Sequence, residues 1–258
     1  MSRYSKESYV ALIRLARGHG FRFVRFGDPG GDGTIYLRHD VDYSLSVALE
    51  LAKLNAAEGV SGMFFVMLRS PTYNLLSSSG LEHAREIHGL GQQLGIHLVV
   101  PDPPPTDTAV KAAVHRDYEL LLGELPELCT VVSWHNPGPT FPTQAERLSL
   151  EGLVNIYTDP ALMAAEYLSD SNMYHRPSEF AAAIARRPTS LHLLFHPFYW
   201  VVGGETMGEV LAGTWGRIIR DSEEEFRENR SYSQLLPGGV PGSIVEDFVE
   251  AVREAAGG

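Results

Sequence analysis

Thr34-Ile35-Tyr36-Leu37-Arg38-His39-Asp40-Val41-Asp42 is a short apolar run that ends in four polar or ionisable residues within five positions. Strand side chains alternate between faces, which puts Arg38, Asp40 and Asp42 on one side of the backbone and His39 and Val41 on the other. Two carboxylates crowded into one small volume repel each other. The arrangement holds only if one keeps a proton, an arginine lies alongside, or a divalent cation neutralises the pair. Arg38 alone could serve, so by itself the stretch also fits a solvated strand end with a local ion pair.

The chain around it alternates. Upstream, Tyr9, Leu12, Ile13 and Ala16 recur at helical spacing between Ser5 and Gly18, and Phe21 to Phe26 reads as a strand. Downstream, a helix marked by Leu45, Ala48, Leu49 and Ala52 leads to the buried strand Gly62 to Val66. After the loop Ser70 to Asn74, a capping box of Ser79 with Glu82 is expected to open a helix. Strand Ile96 to Val100 is halted by Pro101-Asp102-Pro103. A helix from Thr106 to Gly123 and the strand Thr130 to Trp134 follow, the latter stopping at His135-Asn136-Pro137. Short strands are expected at Leu153 to Tyr157 and Tyr167-Leu168. A helix over Pro177 to Arg187 precedes the strand Ser190 to Phe195, which stops at His196-Pro197, and helices near 205–227 and 241–256 close the chain. Strands alternating with helices imply a parallel sheet with helices outside, and about seven such units favour a closed barrel, with residues 1–258 forming one domain.

Chemistry in such barrels sits where strands end and strand-to-helix loops begin. Four strand-like runs finish in ionisable residues, namely Asp40 with Asp42, His97, His135 and His196, and this gathering at one rim points to a metal or acid–base site. His83, His88 and His115 fall on helices and are expected at the surface. The 258 residues, 44% of them hydrophobic, can bury a sizeable core. A net charge of −11 argues against nucleic acid or an anionic membrane surface as principal partner. The single cysteine, Cys129, rules out a disulfide framework within the chain and is expected to be a buried thiol. No signal peptide or bilayer-spanning run is present, so a soluble, cytoplasmic protein is expected.

Six segments in order resemble the polysaccharide deacetylases of carbohydrate esterase family four, in a branch whose first motif reads R-H-D-V-D. They are Arg38 to Asp42; Ser70-Pro71 with Tyr73-Asn74; Gly91-Gln92-Gln93-Leu94-Gly95-Ile96-His97; Ser133 to Pro137; Tyr167 to Asn172; and Leu193 to Trp200. The resemblance implies a distorted barrel of about seven strand-helix units, with extra helices at both ends. It also implies hydrolytic removal of an acetyl group from an N-acetylated, sugar-like small molecule by metal-activated water. Carried over by position, Asp40 is the base, Asp42 and His97 are metal ligands, His196 is the acid, and Asp170 orients His196. Arg38, Tyr73, Asn74 and Trp134 are the expected substrate contacts. Zinc is the default metal, with manganese, iron or cobalt compatible with the same ligand types.

The chain departs from the family pattern at four places, one of them His135, which takes the place where many relatives have an arginine and could be a third ligand or a partner of Asp40. Pro101 stands where many relatives have a second metal histidine, Gln92 where they have histidine and Gln93 where they have glutamate. Either His135 or Asp102 then completes the ligand set, or the site has decayed. His135 is the expected choice, because a histidine at a strand end points into the barrel mouth. The rival functions are a catalytically inactive barrel that binds a sugar or a partner protein, and a hydrolase of another carbon–nitrogen bond.

Overall fold

A computed structural model describes residues 3–99, 106–135 and 148–255. Its centre is the opening stretch, now strand β2 (Thr34–Val41), in which all eight residues are buried. A strand buried on both faces belongs inside a parallel sheet covered by helices. Around it lie β1 (Arg22–Val24), β3 (Met63–Val66), β4 (Gln93–Val99), β5 (Val131–His135), β6 (Val154–Asn155), β7 (Glu166–Ser169) and β8 (Ser190–Phe195). Among the described residues the order is β6-β5-β4-β3-β2-β8-β7, with every pairing parallel. β8 lines one edge of β2 from Thr34 to His39. The other edge is divided, β1 taking Thr34 to Tyr36 and β3 taking Arg38 to Val41.

The sheet is curled rather than closed, which corrects the expectation of a complete barrel. β6 and β7 are its two ends and do not pair with each other among the described residues. A short helix stands between them in the chain, α5 (Pro160–Ala164), and its Leu162 joins the apolar cluster inside the curl. The other helices are α1 (Lys6–Gly18), α2 (Leu45–Ala57), α3 (Ser78–Gly89), α4 (Asp107–Glu124), α6 (Pro177–Arg186), α7 (Pro197–Val202), α8 (Met207–Phe226), α9 (Arg230–Leu235) and α10 (Gly242–Ala255). Helices α5, α7 and α9 were not expected from hydrophobic periodicity, being only five or six residues long. The expected capping box is displaced, since Ser77 rather than Ser79 caps α3 by accepting from Gly80 N. No described helix is long and apolar enough to cross a membrane.

Two cores follow from the period of two along β2. Ile35, Leu37 and Val41 face outward into the large cluster shared with α1, α2 and α6. Tyr36 faces inward, where Phe26, Met63, Phe65, Val131, Ile156 and Leu162 fill one end of the curl. Gly95 is required at its position on β4, because a Cβ there would stand 2.7 Å from the Phe65 ring and 2.9 Å from Val131 O. Cys129 packs at the edge of this inner cluster and is only half-buried, which corrects the expectation of a buried thiol.

The two glutamines that depart from the family pattern serve the fold. Gln93 Oε1 accepts from Phe26 N at 2.8 Å and its Nε2 donates to Phe26 O at 3.1 Å, so the side-chain amide pairs with a backbone that has left the sheet. Gln92 accepts from Gly62 N at 2.8 Å and from Asn55 Nδ2 at 3.1 Å. Asn55 also donates to His39 Nε2 at 3.1 Å and accepts from Tyr9 Oη at 2.5 Å. A ring nitrogen that accepts is unprotonated, and burial accordingly depresses His39 to a pKa of about 3. The C-terminal helices are tied to this body through α8, where Asp221 accepts from Ser44 Oγ and Ser46 Oγ, and Arg217 pairs with Glu50.

Candidate metal and acid–base site

The inward row of β2 continues from Tyr36 through Arg38, Asp40 and Asp42, as the alternation requires. Arg38 donates from Nε to Asp40 Oδ1 at 2.8 Å and from a terminal nitrogen to Asp40 Oδ2 at 2.7 Å. Its guanidinium lies 5.5 Å from the centre of the Phe65 ring and 5.9 Å from that of Tyr157. Burial alone would raise the Asp40 pKa, but the charge and hydrogen bonds of Arg38, with His97 adding to them, hold it below the usual carboxylate range.

Among the described residues no arginine or lysine pairs with Asp42; its neighbours are histidines. Its Oδ1 is buried and receives no well-aligned hydrogen bond from the described residues. Two imidazole nitrogens nevertheless stand close to it, His135 Nδ1 at 3.2 Å and His97 Nε2 at 3.4 Å, and these two are 3.3 Å from each other. The His97 ring is oriented by Ser133, whose Oγ lies 2.6 Å from Nδ1, so that Nε2 faces Asp42. Against the cost of burial, the two histidines keep the Asp42 pKa far below the ordinary value, and Asp42 in turn raises that of His135.

Asp42, His97 and His135 form the one group of potential metal ligands found among the described residues. Donors bound to zinc at ~2.0–2.1 Å in tetrahedral geometry lie roughly 3.3 Å apart. The three separations match that edge, and an acceptor oxygen without a proton donor is what a cation would satisfy. The residues present therefore fit a divalent metal. Asp102, the alternative third ligand, lies outside the described residues, as does Pro101.

On the far side of Asp42, His196 Nε2 stands 3.6 Å from Oδ2. His196 follows β8 directly, and its Nδ1 lies 2.6 Å from Asp170 Oδ1 at the end of β7. Asp170 is fully buried and also accepts from His196 N and from Trp200 Nε1 at 2.7 Å. Burial works against the charged imidazole, yet the Asp170 carboxylate outweighs it and raises His196 to a pKa of about 9.

Seven expected residues thus converge: Arg38, Asp40, Asp42, His97, His135, Asp170 and His196. Three expected substrate contacts do not join them. Trp134 points to the helix side of β5, is buried in the large core, and donates from Nε1 to Asn155 Oδ1 at 3.2 Å. The Tyr73 hydroxyl accepts from Met67 N at 2.7 Å and donates to Val41 O at 2.8 Å. Asn74 Oδ1 accepts from Leu76 N within its own turn.

The 70–74 loop has a different task, which the sequence reading missed. Past the end of a strand ladder, carbonyls need new donors. Val41 O, Asp42 O and Tyr43 O receive theirs from Tyr73 Oη, Ser70 Oγ at 3.1 Å and Thr72 Oγ1 at 2.8 Å. The loop fixes the backbone that carries Asp42. Ser133, not among the expected site residues, also holds the His97 ring, and its place two positions before His135 puts both on the inner face of β5.

No protein-family model matches this chain, and no curated protein matches it.

Proposed function

We propose that the chain is a metal-dependent deacetylase of the polysaccharide deacetylase kind, acting on an N-acetylated, sugar-like small molecule. The observation that carries this reading is the triangle of Asp42 Oδ1, His97 Nε2 and His135 Nδ1 flanked by two separately tuned groups, Asp40 on one side and His196 on the other. Zinc is the ion whose donor preferences and ligand spacing suit the triangle best. The chemistry such an ion supplies is polarisation of an acyl oxygen and acidification of water.

The chain's own residues divide the proton work. Asp40, kept ionised by Arg38, takes a proton at Oδ2, the oxygen that faces His97 Nε2 at 3.6 Å. His196 carries a proton at Nε2, because its Nδ1 proton is committed to Asp170, and delivers it to the leaving amine. Ser133 and Asp170 hold the two rings in the orientations these roles require.

The test is metal analysis of the purified protein, followed by turnover of a panel of N-acetylated amino sugars by metal-free and zinc-loaded samples. Stoichiometric metal and metal-dependent release of acetate are expected. Failure of the wild-type protein to hold a metal, or no acetate from any compound when loaded, would overturn the proposal.

A further inference from the structure

The Asp170 carboxylate is held by two side chains of one short segment. His196 Nδ1 takes Oδ1 at 2.6 Å and Trp200 Nε1 takes Oδ2 at 2.7 Å. The His196 backbone N–H also reaches both oxygens, at 3.1 and 2.9 Å, but it belongs to the residue being positioned; among the described residues Trp200 is the one donor outside His196, and it fixes the carboxylate plane independently of the imidazole. Pro197 at the start of α7 makes this possible. It begins the helix immediately after His196, and the first turn then brings residue 200 back over the strand end.

The indole has no freedom of its own. It is fully buried, with the rings of Tyr4, Phe195 and Tyr9 at 4.9, 5.0 and 5.6 Å between centres. Tyr4, fully buried itself, also joins two other segments. Its backbone exchanges two 3.1 Å hydrogen bonds with Gly204, just after α7, while its hydroxyl donates to His175 O in the segment that follows Asp170. One residue near the start of the chain therefore ties together the segment after Asp170 and the segment carrying Trp200.

We infer that Trp200 is a positioning residue for the His196–Asp170 pair, and that Tyr4 holds both supporting segments in register. The inference rests on the proposed reading of His196 as the acid. Its test has a readout that does not need activity: the Nδ1 proton of His196, bonded to a buried carboxylate, should give a downfield, exchange-protected NMR resonance in the zinc-loaded protein, assigned by its loss in His196→Gln.

Trp200→Phe keeps an aromatic ring and removes the N–H. That resonance should move upfield or broaden with exchange, metal content should stay at the wild-type level, and kcat should fall roughly tenfold at unchanged KM, as for loss of one charge-assisted hydrogen bond. Tyr4→Phe should shift the resonance in the same direction by less. If Trp200→Phe does not fold, the benzothiophene isostere of tryptophan placed at position 200 makes the same deletion with the ring shape preserved. A wild-type resonance in the N–H-deleted protein, whether or not its Tm falls, would overturn the inference by reducing Trp200 to packing. If the wild-type protein turns over no acetylated compound, the resonance alone decides the inference, and the failure belongs to the proposed function.

Discussion

Asp42 Oδ1 and His135 Nδ1 face each other at 3.2 Å, and the oxygen receives no well-aligned hydrogen bond from the described residues. The pair is close enough to share a cation and lacks the bond that would make it self-sufficient. Asp42→Ala, His97→Ala and His135→Ala are each expected to abolish metal retention, while their stability in the metal-free state differs from that of metal-free wild type by only about 1 kcal/mol, a few degrees in Tm. Metal content and thermal melts of the three variants check this. Full occupancy in any one would remove that residue from the ligand set.

Arg38 and Asp40 form the buried ion pair beside this triangle. Asp40→Asn should lose turnover while retaining metal, but it also leaves a buried guanidinium without its counter-charge. A destabilisation of about 3 kcal/mol or more is expected. The double variant Arg38→Met/Asp40→Leu should recover most of that stability and none of the activity. Denaturant melts of the single and double variants decide; equal stability of Asp40→Asn and wild type would show that the pair is solvated.

His39 and His192 are both buried and both depressed to a pKa of about 3, chiefly by burial. A group whose folded pKa lies below its unfolded value stabilises the fold above the unfolded pKa and loses that contribution as pH falls. The metal-free protein should therefore lose stability from about pH 6.5 downward, at up to ~1.4 kcal/mol per pH unit for each histidine. His192→Leu should reduce that slope by about half between pH 6.5 and 4.5, before the carboxylates titrate. A flat profile over this range would contradict the neutral burial of both rings.

His196 works in the opposite sense, its pKa being raised to about 9 by Asp170. In activity, the rate should fall on the alkaline side as His196 loses its proton, and on the acid side as Asp40 gains one, with both limbs belonging to the coupled site. Asp170→Asn removes the charge that raises His196, so the alkaline limb should move to lower pH. A pH–rate profile of this variant with its alkaline limb unmoved would separate His196 from the proton transfer.

The sequence by itself determined which residues share a face. A period of two along β2 placed Arg38, Asp40 and Asp42 together and His39 opposite them, and strand ends followed by proline located the histidines, because these are local consequences of backbone geometry. Only the tertiary structure decided what each side chain meets. Tyr73 and Trp134 read as substrate contacts, yet Tyr73 bonds to the backbone of Met67 and of Val41, the latter 32 residues away, and Trp134 to the side chain of Asn155, 21 residues away. Gln92 and Gln93 read as departures from a metal site, yet they satisfy backbone groups of Gly62 and Phe26. The curl, open between β6 and β7 among the described residues, depends on β2 pairing Thr34 with Ser190, and the path from Tyr4 through Trp200 to Asp170 depends on Tyr4 meeting His175 and Gly204, all distant in the chain. Such contacts follow from packing and hydrogen-bond satisfaction in three dimensions, to which composition and periodicity are blind.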